Sequence, residues 1–133
     1  MNPLHPSVAA RALHHCEYCH APELVSNLEF EIEHIEPVSQ GGSDDPENLA
    51  LACRSCNLHK ASRQTCLDPQ TQTMVPLFHP RRDRWEEHFH YDEASGELHG
   101  LTATGRATVA CLQLNRPTQR NARRFWVLLS LFP

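Results

Sequence analysis

Four of the six cysteines form two Cys-x-x-Cys pairs, a spacing with which proteins bind zinc. Cys16 and Cys19 are the first pair, and Cys53 and Cys56, separated from it by 33 residues, are the second. Each pair lets two sulfurs converge on one tetrahedral ion, and together they complete its coordination. The pattern therefore predicts a structural zinc site. The alternative is a redox-active pair, but a thioredoxin-like site has a single pair in a βαβ context, which this sequence lacks.

The histidine beside the first pair and the two remaining cysteines are not needed for this zinc site. His20 directly follows Cys19 and is an alternative ligand, although four cysteines already complete the coordination. Cys66 and Cys111 have no partner motif and are predicted to be inert, buried thiols.

Glu33 and His34 are adjacent at the end of an apolar, β-prone run between the two cysteine pairs. A neutral imidazole with an ordinary pKa can take a proton from water. The neighbouring carboxylate is an oxygen ligand for a hard divalent cation such as Mg²⁺. Hydrolysis of a phosphodiester needs both an activated water and a Lewis acid, so the pair predicts a hydrolytic site. The alternative is that His34, one of ten histidines, is an ordinary surface or core residue.

Asn48, Asn57 and Lys60 follow in the same segment. Asn48 comes after a turn-rich loop, and we expect its side chain to fix the loop that orients His34; a plain turn residue is the alternative. Asn57 and His59 are about 200° apart around a helix and cannot both face one site. Because Asn57 shares its stripe with Lys60, we favour Asn57 as the second cation ligand and Lys60 as a phosphate contact.

The elements that must position these residues form a strand, a loop, a second strand and a helix. Alternating apolar and acidic residues predict a strand over residues 28–34, which Pro37 ends. Gly-Gly, Asp-Asp and Pro predict a loop over 39–46, and the apolar run 49–52 is its return strand. A helix is expected over 54–64. Upstream, an Ala-rich helix capped by Ser7 is expected over 7–15.

The second half of the chain predicts further elements. We expect an irregular segment over 68–80, a short helix around Trp85 and a hairpin turning at residues 94–96. A helix capped by Thr102 and a last helix over 117–131 complete the prediction. The fold class is therefore α+β, with residues 1–80 as the core and 81–133 as an extension packed on it. Two groups of arginines either face DNA or are simply solvated: residues 81, 82 and 84, and residues 116, 120, 123 and 124.

The net charge of −4 argues against tight, sequence-blind binding through phosphate contacts alone. Residues 1–80 contain 4 Lys and Arg against 10 Asp and Glu, and residues 81–133 contain 8 against 6. The chain opens without an apolar signal segment and has no run long enough to span a membrane. A cytoplasmic, reducing location is therefore expected, in which paired cysteines bind metal.

Taken together, Glu33-His34, Asn48, Asn57 and the two cysteine pairs resemble the zinc-containing HNH endonucleases. The resemblance implies a ββα-metal core, also called a His-Me finger, with a treble-clef-like zinc clip. It implies that His34 is the general base, that Glu33 and Asn57 bind the catalytic cation, and that Asn48 is the central asparagine of the motif. Many members of the family have Asp where this chain has Glu33. The segment HPRRDRWEEHF and the later GLTATGRATVACLQLN are similar to the C-terminal half of small bacterial stand-alone HNH proteins.

The sequence thus predicts a metal-dependent endonuclease that cleaves DNA, with structural Zn²⁺ and catalytic Mg²⁺ or a similar ion. The alternative is a non-catalytic zinc module that binds nucleic acid or protein. Substrate sequence, nicking against double-strand cleavage, DNA against RNA, and oligomeric state are not encoded in these motifs.

Overall fold

The computed structural model describes residues 2–133, which form a small domain of mixed α and β structure. The elements, in chain order, are α1 (His5–Arg11), β1 (Glu31–His34), β2 (Leu49–Ala52), α2 (Arg54–Lys60), β3 (Thr65–Asp68), β4 (Thr73–Pro76), α3 (Trp85–His88), β5 (Phe89–Asp92), β6 (Glu97–Gly100), α4 (Ala103–Cys111) and α5 (Pro117–Leu128). The strands pair as three antiparallel hairpins, β1–β2, β3–β4 and β5–β6. None of the helices within residues 2–133 has the length and apolar character needed to cross a membrane.

The β1–β2 hairpin and α2 occur in the predicted order. In the hairpin Glu31 is opposite Ala52 and His34 is opposite Leu49. The strand was expected to start at residue 28, but it starts at Glu31. The reason is that Cys53, the residue after Ala52, leaves the ladder to cap α2, where its sulfur accepts a hydrogen bond from the Cys56 N–H. No partner strand therefore remains for the residues before Glu31.

Residues 65–76 correct the prediction of an irregular segment, because they form the β3–β4 hairpin. Pro69 and Pro76 lie just after β3 and at the last position of β4, where a missing N–H does not interrupt the ladder. The hairpin packs on α4, to which Asp68 is joined by a bidentate ion pair with Arg106 at 3.0 and 2.9 Å.

Cys66 and Cys111 form a disulfide between β3 and α4, so the prediction of inert thiols is wrong. Their sequence separation of 45 residues gave no spacing signal. Disulfides persist mainly in oxidising compartments, whereas the expected location is reducing; the location stays a prediction.

The helices differ from prediction mainly at their ends. Helix α1 starts at His5 instead of residue 7, with Pro6 in its first turn, and the Ser7 hydroxyl donates to the Leu4 carbonyl instead of capping the helix. The predicted Thr102 cap is confirmed, since its hydroxyl accepts the Gly105 N–H at 3.0 Å. Helix α2 ends at Lys60, because Ala61 adopts a positive φ of 50°, and α5 ends at Leu128.

One apolar core contains residues from both halves of the chain. Tyr18 and Leu51 from the first half and Phe89, Leu98 and Leu112 from the second are buried in it. The division at residue 80 stays a prediction.

Candidate functional site

The four cysteines of the two Cys-x-x-Cys pairs are buried and their sulfurs lie within 4.8 Å of one another. Across the described residues they form the one cluster of three or more His, Cys, Asp or Glu side chains close enough to share an ion. A tetrahedral zinc with Zn–S bonds of about 2.3 Å separates its sulfurs by about 3.8 Å. The Cys19 and Cys53 sulfurs are 3.7 Å apart, so the cluster fits Zn²⁺.

The local backbone shapes both halves of this cluster. The Cys19 N–H donates to the Cys16 sulfur at 3.5 Å, and the Cys56 N–H donates to the Cys53 sulfur at 3.4 Å. These equivalent turns hold each pair of sulfurs on one side of the backbone. With four sulfurs and no open position, the cluster fits a structural ion and not a catalytic one.

His20, the alternative ligand, is outside the cluster. Its ring stacks on Trp85 with centroids 3.9 Å apart, and burial lowers the pKa of His20 to about 4. The indole N–H of Trp85 donates to the Tyr18 carbonyl at 2.8 Å. The Cys16–Cys19 turn is thus packed against α3.

Glu33 points from β1 into the protein interior, where only 4 % of its surface is exposed. One carboxylate oxygen accepts a hydrogen bond from the Tyr18 hydroxyl, and the other pairs with the Lys60 ammonium at 3.3 Å. Burial raises the pKa of the Glu33 carboxyl, and the nearby Lys60 charge opposes that rise. Both oxygens of Glu33 are therefore engaged within the protein.

Lys60, predicted from the sequence as a phosphate contact, is buried in the structure. It is 2 % exposed, and its ammonium donates to the Ile35 carbonyl at 3.0 Å as well as to Glu33. A phosphate group cannot reach an ammonium in this position without displacing one of these partners. The expected helical stripe does bring Lys60 to β1, but as a buried counter-ion instead of a surface contact.

His34 lies on the opposite side of β1 from Glu33, as alternation along a strand requires. Its Nε2 is 2.7 Å from Asp44 Oδ1. The His34 side chain is 29 % exposed and that of Asp44 is 82 % exposed, so the pair is open to a large ligand. Asp44 belongs to this candidate site but was not predicted from the sequence, because Asp is a common turn residue and Asp44 lies in a turn-rich loop. Its place ten residues after His34, in the same loop, was the available signal.

Asn48 fixes the loop that carries Asp44. Its side-chain oxygen accepts the Glu36 N–H at 2.8 Å, and its Nδ2 donates to the carbonyls of Glu36 and Ser43 at 3.0 and 2.8 Å. Gly42 lies against this network, since a Cβ there would be 1.8 Å from the Glu36 oxygen. The loop can close only with glycine at this position. These contacts are of the kind expected for Asn48.

Asn57 faces β1, as expected, but it contacts Glu31 and not Glu33. Its Nδ2 donates to Glu31 Oε1 at 2.9 Å, and Arg54 pairs with Glu31 Oε2 at 3.1 Å. The side chains predicted to meet around one catalytic ion thus make three separate contacts: Glu33 with Tyr18 and Lys60, Asn57 with Glu31, and His34 with Asp44. A hard cation needs several oxygen ligands with open positions. Glu33 and Asn57 do not provide that donor set in this arrangement.

The two arginine groups do not form continuous basic surfaces. Arg123 is buried and donates to the carbonyls of Gly96 and Leu114, at 2.8 and 2.6 Å. Arg81 pairs with Glu17, and both side chains are largely buried. Each of the two arginine groups therefore contains one arginine whose charge is used inside the protein, Arg81 in the first group and Arg123 in the second.

Residues 16–63 match the family model described as HNH endonuclease. The matched segment contains both cysteine pairs, Glu33-His34, Asn48 and Asn57. The match confirms the resemblance seen in the sequence. HNH domains are usually nucleases that act on nucleic acids, so the match indicates a nuclease-type domain. Comparison with curated proteins and with solved structures gave no significant match.

Proposed function

We propose that the protein is an endonuclease that hydrolyses phosphodiester bonds, with DNA as the expected substrate and His34 as the general base. The observation that carries this proposal is the exposed His34–Asp44 pair at the end of β1, inside the segment that matches the HNH family. We also propose that β1, β2 and α2 are the ββα-metal core of that family.

The geometry of this pair supports a different role for each ring nitrogen. When Nε2 carries the hydrogen and donates it to Asp44, the lone pair of Nδ1 is available to accept a proton. Nδ1 then takes a proton from a water molecule, whose oxygen attacks phosphorus while the P–O3′ bond breaks and the leaving O3′ takes a proton from solvent water. The products are a 5′-phosphate and a 3′-hydroxyl. Asp44 is a positioning residue here, because it fixes the ring and stabilises the imidazolium without touching substrate.

The Asn48 network supports this role for Asp44. It joins the Glu36 and Ser43 backbones, which lie just after His34 and just before Asp44. The loop therefore cannot swing Asp44 away without breaking hydrogen bonds to Asn48. We propose that Asn48 acts on catalysis through this loop.

A divalent cation such as Mg²⁺ is part of the proposal because of the family match. When bound, it would stabilise charge on the phosphate and on the leaving oxygen. Glu33 and Asn57, the ligands implied by the resemblance, would first have to leave Lys60, Tyr18 and Glu31. The proposed reaction therefore includes no step in which Glu33 or Asn57 acts as a cation ligand.

Nicking of supercoiled plasmid in the presence of Mg²⁺ or Mn²⁺ tests the proposal. We expect His34→Ala to abolish nicking, and Asp44→Asn to lower kcat about tenfold or more with little change in KM. His90→Ala is the matched control, since His90 is an exposed histidine on β5, outside the HNH segment. Zinc content and circular dichroism should be the same for all variants. Nicking at the wild-type rate by a folded His34→Ala protein would disprove the role of His34.

One observation favours a non-catalytic zinc module as the second candidate. The Glu33–Lys60 pair neutralises internally a carboxylate that the resemblance assigns to a cation. A protein of this kind would bind nucleic acid or protein but would nick no substrate with any divalent cation. The same plasmid assay, extended to single-stranded DNA and RNA, separates the two candidates.

A further inference from the structure

Helix α5 has an exposed apolar face towards its C-terminal end. Phe125, Leu128 and Leu129 have the spacing i, i+3 and i+4, which places them on one side of the helix. They are 65, 77 and 60 % exposed. The helix packs on the domain through its other side, where Gln119 and Arg123 are buried. The apolar face is therefore not needed to attach α5 to the core.

This face continues onto the connector that leads to β1. Trp126 is about 60° from Leu129 around the helix axis. It lines a cavity of about 250 Å³ together with Val25 and Leu28. Leu28 also lines a shallow depression beside Leu24. Six exposed apolar side chains thus form one surface, here called the α5 patch: Leu24, Val25, Leu28, Phe125, Leu128 and Leu129.

The α5 patch is large enough for a specific protein contact. Its six side chains are 51–77 % exposed, and a large apolar side chain has an accessible surface of about 150–200 Å². The patch therefore offers about 600 Å², at the upper limit of the roughly 300–600 Å² of the largest apolar patch on a typical monomer. Two such patches in contact would bury about 1,200 Å², the lower limit for a specific interface.

The charges around the α5 patch favour a protein partner over nucleic acid or a membrane. Arg120 pairs with Glu97. Arg124 donates to the Ser95 carbonyl. Both arginines are thus engaged with the β5–β6 hairpin, whereas a helix that binds lipid headgroups or DNA has free cations beside its apolar face.

The cavity in the α5 patch has both signs of charge in its lining, from Glu29 and Arg54. Glu29 is exposed, and the Arg54 side chain is 65 % exposed with its Nη1 paired to Glu31. In a two-fold contact between identical chains, a residue i that contacts j is matched by a second contact of j with i. A patch with one exposed carboxylate and one exposed guanidinium is therefore complementary to itself, whereas a patch of a single sign would repel its copy.

We propose that the α5 patch is the interface of a two-fold symmetric homodimer, so that the partner is a second copy of this chain. The apolar side chains of the two patches pack against each other, and the cavity beside Trp126 receives the partner's Phe125. Arg54 pairs with the partner's Glu29. The inference goes beyond the proposed function, because it applies equally to a nuclease and to a non-catalytic zinc module.

Sedimentation equilibrium of the full chain with zinc bound tests the dimer. We expect the mass to rise with concentration from 15.1 kDa towards twice that value, with a Kd of about 1–100 μM for an interface of this size. Phe125→Glu and Leu128→Glu should each raise the Kd about tenfold or more. Circular dichroism and Tm, measured below the wild-type Kd, should not change, because both side chains are exposed in the monomer.

Met74→Glu is the matched control. Met74 is an apolar residue of β4 that is 62 % exposed and lies outside the α5 patch. The Kd of this variant should equal that of the wild type. A dimer that is lost equally in Met74→Glu and in Phe125→Glu would overturn the assignment of the interface.

An exchange of charges tests whether the partner is the same surface of a second copy. Glu29→Arg and Arg54→Glu should each weaken self-association about tenfold, because like charges would meet in both symmetric contacts. An equimolar mixture of the two variants should regain the wild-type Kd, since both contacts then join opposite charges. Zinc content should stay the same in each variant. A wild-type chain that is monomeric well above the expected Kd, or a mixture that associates no better than its components, would overturn the inference.

The other partners that an apolar patch can bind give different results. A monomeric chain that binds anionic phospholipid vesicles, or a DNA duplex, in a manner abolished by Phe125→Glu would overturn the dimer in favour of that ligand. Plasmid nicking is read separately in the same samples. A dimer that nicks nothing retains the interface and rejects the nuclease, and nicking by a chain that never associates does the reverse.

Discussion

Replacing Lys60 by methionine should strongly destabilise the protein, although a lysine near the proposed active site suggests a substrate contact. Methionine keeps most of the apolar stem and removes the ammonium. That ammonium lies 3.3 Å from Glu33 Oε2 and 3.0 Å from the Ile35 carbonyl oxygen. Lys60 and Glu33 are both almost fully buried, so water cannot replace the lost partner.

The expected loss can be worked out from these contacts. Removing one partner of a buried ion pair costs about 3–5 kcal/mol, because the other charge stays buried without compensation. The Tyr18 hydroxyl still donates to Glu33 in the variant, which places the expected loss near the lower limit, at about 3 kcal/mol. Adding Glu33→Gln removes the unpaired charge. The double variant should therefore recover about 2 kcal/mol of that loss as coupling between the two sites.

Urea unfolding at saturating zinc measures these free energies for the wild type, both single variants and the double variant. Arg82→Met is the control, since Arg82 is exposed and its substitution should change stability by less than about 0.5 kcal/mol. A Lys60→Met protein that unfolds within about 1 kcal/mol of wild type but has lost DNA binding would refute the reasoning. It would instead restore Lys60 as a phosphate contact.

Three further changes should have distinct effects. Gly42→Ala should lower the free energy of unfolding by about 1–3 kcal/mol and slow cleavage, because the added Cβ would clash with the Glu36 carbonyl oxygen. Gly41→Ala is the control: its Cβ would meet no atom, so only the φ of 94° at this position should cost stability, about 1 kcal/mol, and the loop should stay in place. Removing zinc with a chelator, or introducing Cys53→Ser, should unfold the segment around the clip, as followed by circular dichroism together with metal analysis. Cys66→Ser should lower stability under oxidising conditions by about 3–4 kcal/mol without loss of zinc, and a reducing agent should have the same effect on the wild type.

The parts of the fold that follow from local rules could be predicted from the sequence. The cysteine spacing was sufficient to place four sulfurs together, since each pair needs only one tight turn. The alternation that ends at His34 and the apolar run from Leu49 gave the hairpin, and Thr102 gave a helix start. Each of these signals is contained within a few residues.

The features that were missed depend on contacts between distant residues. The β3–β4 hairpin has little apolar alternation, and it is held against α4 by Asp68–Arg106 and Cys66–Cys111. Neither pair has a spacing that marks it in the sequence. The partners of Glu33 were missed for the same reason, because Tyr18 and Lys60 come from before and after the hairpin.

The regular ladder of β1 decides what the site can do. Glu33 and His34 could share one site only if the strand bent or ended between them, but the Ile35 N–H still donates to the Asn48 carbonyl at 2.9 Å, beyond both residues. Alternation therefore holds through His34, which places Glu33 inside and His34 outside. A substrate phosphate has to approach His34 from the loop side, where Asp44 and the Asn48 network lie. On this geometry Glu33 holds α2 against β1 through Lys60, and under the proposed function the acid that assists His34 is Asp44.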